Sequence, residues 1–126
     1  MKKQIILTTN APAPIGPYSQ AVKVGNMLYV SGQVAINPAT GEMNMPDIPT
    51  ETKQVMENLK AVLTAADASF DDIVMTTIFL SDMASFAAVN TVYGSYFTAD
   101  FPARATVAVK TLPKNVNVEI SVIAAL

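Results

Sequence analysis

Two hydrophobic periods alternate along the chain, and their order predicts a layered α+β subunit. Residues 19–24 and 27–31 are strand-like runs on either side of Gly25-Asn26, a two-residue loop that tolerates positive φ and joins antiparallel strands. Before them, Ala11-Pro12-Ala13-Pro14-Ile15-Gly16-Pro17 can neither form helix nor donate regularly to a sheet ladder. A first strand is expected over residues 3–8. After the hairpin, residues 37–49 hold three prolines and a glycine, which predicts a long surface loop. From Thr50, placed as N-cap, the period becomes helical: Val55, Met56, Leu59, Val62, Leu63 and Ala66 form one stripe. Residues 73–80 are rich in β-branched and aromatic types and apolar on both faces, so they read as a buried strand. A second helix carries Phe86, Val89, Tyr93, Tyr96 and Phe97 on one stripe, with Asp82 and Ser85 competing to cap it. Strands over 105–110 and 116–124 follow Pro102. The order β-β-β-α-β-α-β-β spans one domain, residues 1–126, with two helices on one sheet face.

The second sheet face then needs an explanation. In the last strand Val116, Val118, Ile120 and Val122 alternate with Asn117, Glu119 and Ser121. In the strand before it, Val107 and Val109 alternate with Arg104, Thr106 and Ala108. With the valines turned to the core, the second face carries small polar groups and two charges, Arg104 and Glu119. That composition fits a partly wet subunit interface or cleft.

Composition narrows the chemistry. The 126 residues are 51% hydrophobic and only 14% charged, against about 25% charged in an ordinary soluble domain. A subunit interface is the simplest cover for that apolar surplus. There is no cysteine and no histidine, so disulfides, thiolate nucleophiles, imidazole metal ligands and a Ser-His-Asp triad are excluded. A net charge of −2 with eight basic residues opposes an extended phosphate-binding face. Met1-Lys2-Lys3 imitates a signal-peptide start, but the apolar run after it is too short. No stretch approaches the ~18 apolar residues of a membrane span, and a cytoplasmic location is expected.

Proton transfer therefore falls to carboxylates, tyrosine or lysine. Arg104 is the only arginine; it reads either as a surface residue after a Pro-Ala turn or as a planar, bidentate holder of a carboxylate. Glu119, central in an apolar strand, is either solvated or a partly buried base able to take a proton from water. Tyr18 is a donor into a cleft or an aromatic anchor. Ser31-Gly32-Gln33 is a ligand-facing backbone or simply a bulge. Asn90 lies off the apolar stripe of its helix, where solvent exposure is the plain expectation. Asp71-Asp72 lacks the further oxygen ligands of a metal site.

In order and spacing these segments resemble the RidA family, also called YjgF. The resemblance rests on Gly16-Pro17-Tyr18-Ser19-Gln20-Ala21, Ser31-Gly32-Gln33, Asn58-Leu59-Lys60-Ala61-Val62-Leu63 and Phe86-Ala87-Ala88-Val89-Asn90. Its most specific part runs from Pro102-Ala103-Arg104-Ala105 through Leu112-Pro113 to Val118-Glu119-Ile120. It implies a chorismate-mutase-like α+β subunit assembled as a homotrimer, with clefts between neighbouring subunits. It also implies hydrolysis of 2-imino acids and their enamine tautomers, such as 2-aminoacrylate, 2-iminopropanoate and 2-iminobutanoate, to 2-oxo acids and ammonia, without cofactor or metal. By the same resemblance Arg104 holds the substrate carboxylate, Glu119 activates water and Tyr18 assists proton return. Thr106, Ser31, Gly32 and Asn90 bind substrate. Thr106 stands where well-studied relatives have cysteine, which leaves its backbone N–H but no thiol chemistry. Two rival classes stand beside the deaminase: a non-catalytic sensor that binds a small 2-oxo or amino acid and regulates a partner, and an RNA-acting translation inhibitor. The second is carried because the family also contains proteins described as translation inhibitors or ribonucleases; the charge, the single arginine and the missing histidine oppose it.

Overall fold

The computed structural model describes all residues from Met1 to Leu126. Its strands are β1 (Gln4–Ile6), β2 (Ala21–Val24), β3 (Met27–Gln33), β4 (Ile73–Leu80), β5 (Ala103–Ala108) and β6 (Val118–Ala125). They form one mixed sheet in the order β1-β2-β3-β6-β4-β5. Only β4 and β5 run parallel, which requires a long crossover; α2 (Phe86–Gly94) supplies it. The Gly25-Asn26 turn joins β2 to β3 with Gly25 at φ 58°, as the sequence predicts.

Helix α1 (Ile48–Ala65) starts earlier than expected. Asp47, not Thr50, is the N-cap: its carboxylate accepts the Thr50 N–H at 2.7 Å, and Pro49 lies in the first turn. Val55, Met56, Leu59, Val62 and Leu63 are all buried, as the stripe requires, against β3 and β6. Helix α2 ends at Gly94, so Tyr96 and Phe97 lie beyond it. They still join its aromatic cluster, with the Phe97 ring 4.9 Å from that of Tyr93 and Phe70 5.2 Å from Tyr96. Asp82 caps a 3-10 turn over Met83–Ser85, and Ser85 makes no side-chain cap. No helix is long and apolar enough to cross a membrane.

Both helices cover one sheet face, and β6 alternates as expected: Val118, Ile120 and Val122 are buried beneath them. The other face is left half-open and largely apolar. Tyr29 is 45% exposed and Val107 47% exposed there.

Strand register overturns one expectation. Thr76 pairs with both Arg104 and Val122, so Arg104 shares the helix-covered face. Phe79 pairs with both Val107 and Glu119, so Val107 shares the open face with Glu119. Val107 of β5 points outward, and the two charges lie on opposite sides of the sheet.

Candidate active site

Glu119 occupies a cavity of about 390 Å³ with Tyr18, Ser31, Gly32, Gln33 and Lys114 on its walls, a size in the range of small-molecule sites. The β3–β6 register shifts between Val30 and Gln33, and this irregularity lets Gly32 lie beneath the Glu119 side chain. A Cβ on Gly32 would come within 2.7 Å of Glu119 Oε2, so only glycine leaves the carboxyl where it is. Burial pushes the Glu119 carboxyl above its ordinary range, and no cation pairs with it.

The wall is built by polar groups that are themselves hydrogen-bonded. The buried Gln20 carboxamide donates to the Thr8 and Pro12 carbonyls at 3.0 and 2.9 Å and accepts the Thr8 N–H at 2.7 Å. It thereby ties down the proline segment ahead of Tyr18. Ser31 Oγ donates to the Ser19 carbonyl at 2.6 Å, which ties the wall together and leaves the hydroxyl able to accept. Asn58, also buried, donates to the Val34 and Ile36 carbonyls at 3.0 and 2.9 Å and shapes the exit of β3. The functional reading of the sequence missed Gln20 and Asn58. Asn58 had a signal, as an amide in line with the apolar stripe of α1.

A second recess, about 330 Å³, is lined by Asn90, Tyr93, Gly94, Phe101, Pro102 and Arg104. Asn90 is not simply solvated: its Oδ1 accepts from Arg104 Nη1 at 2.8 Å. The guanidinium carbon lies 5.6 Å from the Phe86 ring centre and 5.2 Å from that of Tyr93. Two rings and one amide oxygen hold the guanidinium, and no carboxylate neutralises it. Burial pushes the Tyr93 phenol up despite its bond to Thr76 and the Arg104 charge, which keeps it neutral. Thr106 faces the same side as Arg104, and its Oγ1 is buried without a hydrogen-bond partner.

The structure thus brings Tyr18, Ser31, Gly32 and Glu119 together, and separately Arg104, Asn90 and Thr106. Within one chain the two groups do not meet. No cluster of three histidine, cysteine, aspartate or glutamate side chains is placed to hold a metal ion.

Residues 8–126 match the family model described as endoribonuclease L-PSP. A RutC family protein of Pyrococcus horikoshii is 52% identical over 122 residues, covering 97% of each chain. The chain belongs to the RidA/YjgF family. The 2-iminobutanoate/2-iminopropanoate deaminase of Mus musculus is 45% identical over 97% of this chain and 90% of its own. The YjgF gene product of E. coli superposes with a TM-score of 0.92 at 47% identity, covering 97% and 98% of the two chains. TdcF of E. coli, solved with bound serine, gives 0.94 at 41% identity over 98% of both. The fold is accordingly the chorismate-mutase-like fold of RidA/YjgF proteins, as the sequence implied.

Proposed function

We propose that this RidA-family protein hydrolyses 2-imino acids and their enamine tautomers to 2-oxo acids and ammonia, in sites completed between subunits of a homotrimer. The observation that carries the reading is the Glu119 carboxyl, laid across Gly32 in its cavity, unpaired and raised in proton affinity. A carboxylate so placed is a base for water. The mouse relative's named activity supports the substrate class, and serine bound to TdcF supports a small amino-acid-like ligand.

The opposite placement of Arg104 and Glu119 supports a composite site. Arg104 of one protomer, presented by Asn90, Phe86 and Tyr93, would bind the substrate carboxylate together with the Thr106 N–H. Glu119 of the neighbouring protomer takes a proton from water as its oxygen bonds to C2, and the C=N π pair moves to nitrogen. Glu119 or Tyr18 passes the first water proton to nitrogen to give the tetrahedral carbinolamine. Its hydroxyl then loses the second proton to Glu119 as the C–N bond breaks and C2 becomes a carbonyl, and that proton reaches the departing nitrogen, which leaves as ammonia. Tyr18 is 51% exposed in the single chain, open to a partner and a ligand alike.

The test is a coupled assay in which threonine dehydratase generates 2-iminobutanoate and semicarbazide traps it. Added protein is expected to suppress the trapped product. Arg104→Ala is expected to lose about 10- to 100-fold for each charged hydrogen bond removed, with little rescue by Arg104→Lys. Glu119→Gln is expected to abolish turnover while leaving ligand binding largely intact. No suppression by the folded parent protein would overturn the deaminase reading in favour of a ligand sensor.

A further inference from the structure

One carboxylate has no part in that chemistry and yet is wholly enclosed. Glu51, in the first turn of α1, has no accessible surface. Its Oε2 accepts the backbone N–H of Asn117 at 2.8 Å and of Val118 at 3.0 Å, and its Oε1 accepts from Asn117 Nδ2 at 2.9 Å. Asn117 is engaged on its other side: its Oδ1 accepts from Ser81 Oγ at 2.9 Å, and its carbonyl accepts the Ser81 N–H at 3.0 Å. The chain Glu51–Asn117–Ser81 therefore ties the start of α1, the start of β6 and the end of β4 into one knot.

Burying a carboxylate is costly unless it is fully hydrogen-bonded, and a well-packed apolar side chain often stabilises a core as well. What a charged group adds is direction. The two amides it grips immediately precede Glu119, the second residue of β6. Just upstream, Lys114 and Asn115 both adopt left-handed conformations, with φ 57° and 55°, a costly geometry for residues with a Cβ. Without the Glu51 grip, the peptide leading into Glu119 would have a strained turn on one side and a strand end on the other.

We propose that Glu51 is a positioning residue that fixes the 117–118 peptide and, through it, the Glu119 carboxyl over Gly32. Its effect on turnover rests on Glu119 being the base; its effect on the Glu119 geometry does not. Hydrogen-bond polarity sets this role apart from simple packing. Glu51→Gln replaces a charged acceptor with a neutral amide whose nitrogen faces the Asn117 Nδ2 donor. The conflict is relieved only if the Asn117 amide turns over and the Ser81 hydroxyl switches from donating to accepting, and the bonds to the 117–118 peptide are then neutral and weaker. Adding Asn117→Asp removes the conflict. The amide nitrogen introduced at position 51 then donates to the carboxylate introduced at position 117, while the amide oxygen at position 51 keeps both backbone N–H groups.

The experiment compares the parent, Glu51→Gln and the double variant Glu51→Gln/Asn117→Asp. Steady-state turnover is measured in the coupled assay, and the Glu119 carboxyl is titrated by ¹³C NMR. Tyr18 and Lys114, the other titratable groups on that cavity, are the same in all three. Glu51→Gln is expected to lower kcat by about tenfold with little change in KM, and to move the Glu119 titration down toward its ordinary value. The double variant is expected to restore both. A folded Glu51→Gln with kcat and titration unchanged, or a double variant that restores neither, overturns the proposal. Asn117→Ala keeps both backbone bonds and serves if Glu51→Gln does not fold: a smaller downward movement of the titration supports the proposal, and none overturns it. If the parent shows no turnover, the deaminase reading fails, and the Glu119 titration in Asn117→Ala, the variant that changes no charge, still decides whether the Glu51–Asn117 knot positions it.

Discussion

Gly32 and Glu119 constrain each other at the scale of single atoms. The 2.7 Å approach that an added Cβ would make is to the movable end of the Glu119 side chain, so Gly32→Ala displaces the carboxyl rather than the backbone. Thermal melting is expected to stay near the parent, whereas deaminase turnover falls by about 10- to 100-fold. Full activity would mean that the carboxyl is not needed where it lies. The raised affinity of Glu119 for its proton also has a thermodynamic sign. Its folded-state pKa lies above the ordinary 4.5, so its contribution to stability is fully present below that value and is lost as pH rises through the folded value. Glu119→Gln is therefore expected to melt above the parent at pH 7, with the difference closing in acid. A gain that persisted unchanged below pH 4.5 would trace to packing instead of ionisation.

At the scale of elements, period and punctuation carried most of the fold: the Gly25-Asn26 hairpin, the buried stripe of α1 and the alternation of β6 all stand where the pattern puts them. The start of α1 was less legible. Pro46 and Pro49 made the preceding segment read as loop, whereas proline is well suited to a first helical turn. The true cap, Asp47, predicts a contrast between two substitutions. Asp47→Ala removes the acceptor of the Thr50 N–H and is expected to lower the melting temperature at neutral pH. Thr50→Ala keeps that backbone donor and is expected to lower it less. The capping bonds hold the Asp47 carboxyl below the usual 3.8, so the Asp47→Ala deficit is present above that value and fades as pH falls through the depressed one. Equal losses from both substitutions would return the cap to Thr50.

The placement of the two charges is a property of the whole molecule, which is why the sequence misled there. Within β5 the alternation of Arg104 and Thr106 with Val107 was plain, but choosing the buried side assumed that valine turns toward its own core. Val107 instead faces outward beside Glu119, as apolar residues do where another subunit covers them. The same inversion that separates Arg104 from Glu119 predicts how mixed subunits behave. Arg104→Ala subunits retain Glu119, and Glu119→Gln subunits retain Arg104. If each site takes one residue from each of two neighbours around a closed ring, random co-assembly in equal amounts restores about a quarter of parental activity, since one ordered pairing in four carries both groups intact. Neither variant alone has such a site. The measurement is to unfold and refold the two variants together, confirm by native mass spectrometry that mixed oligomers of three form, and assay imine hydrolysis. Mixed trimers no more active than the separate variants would place both groups of each site in one chain, contrary to the strand register, or remove one of them from the chemistry.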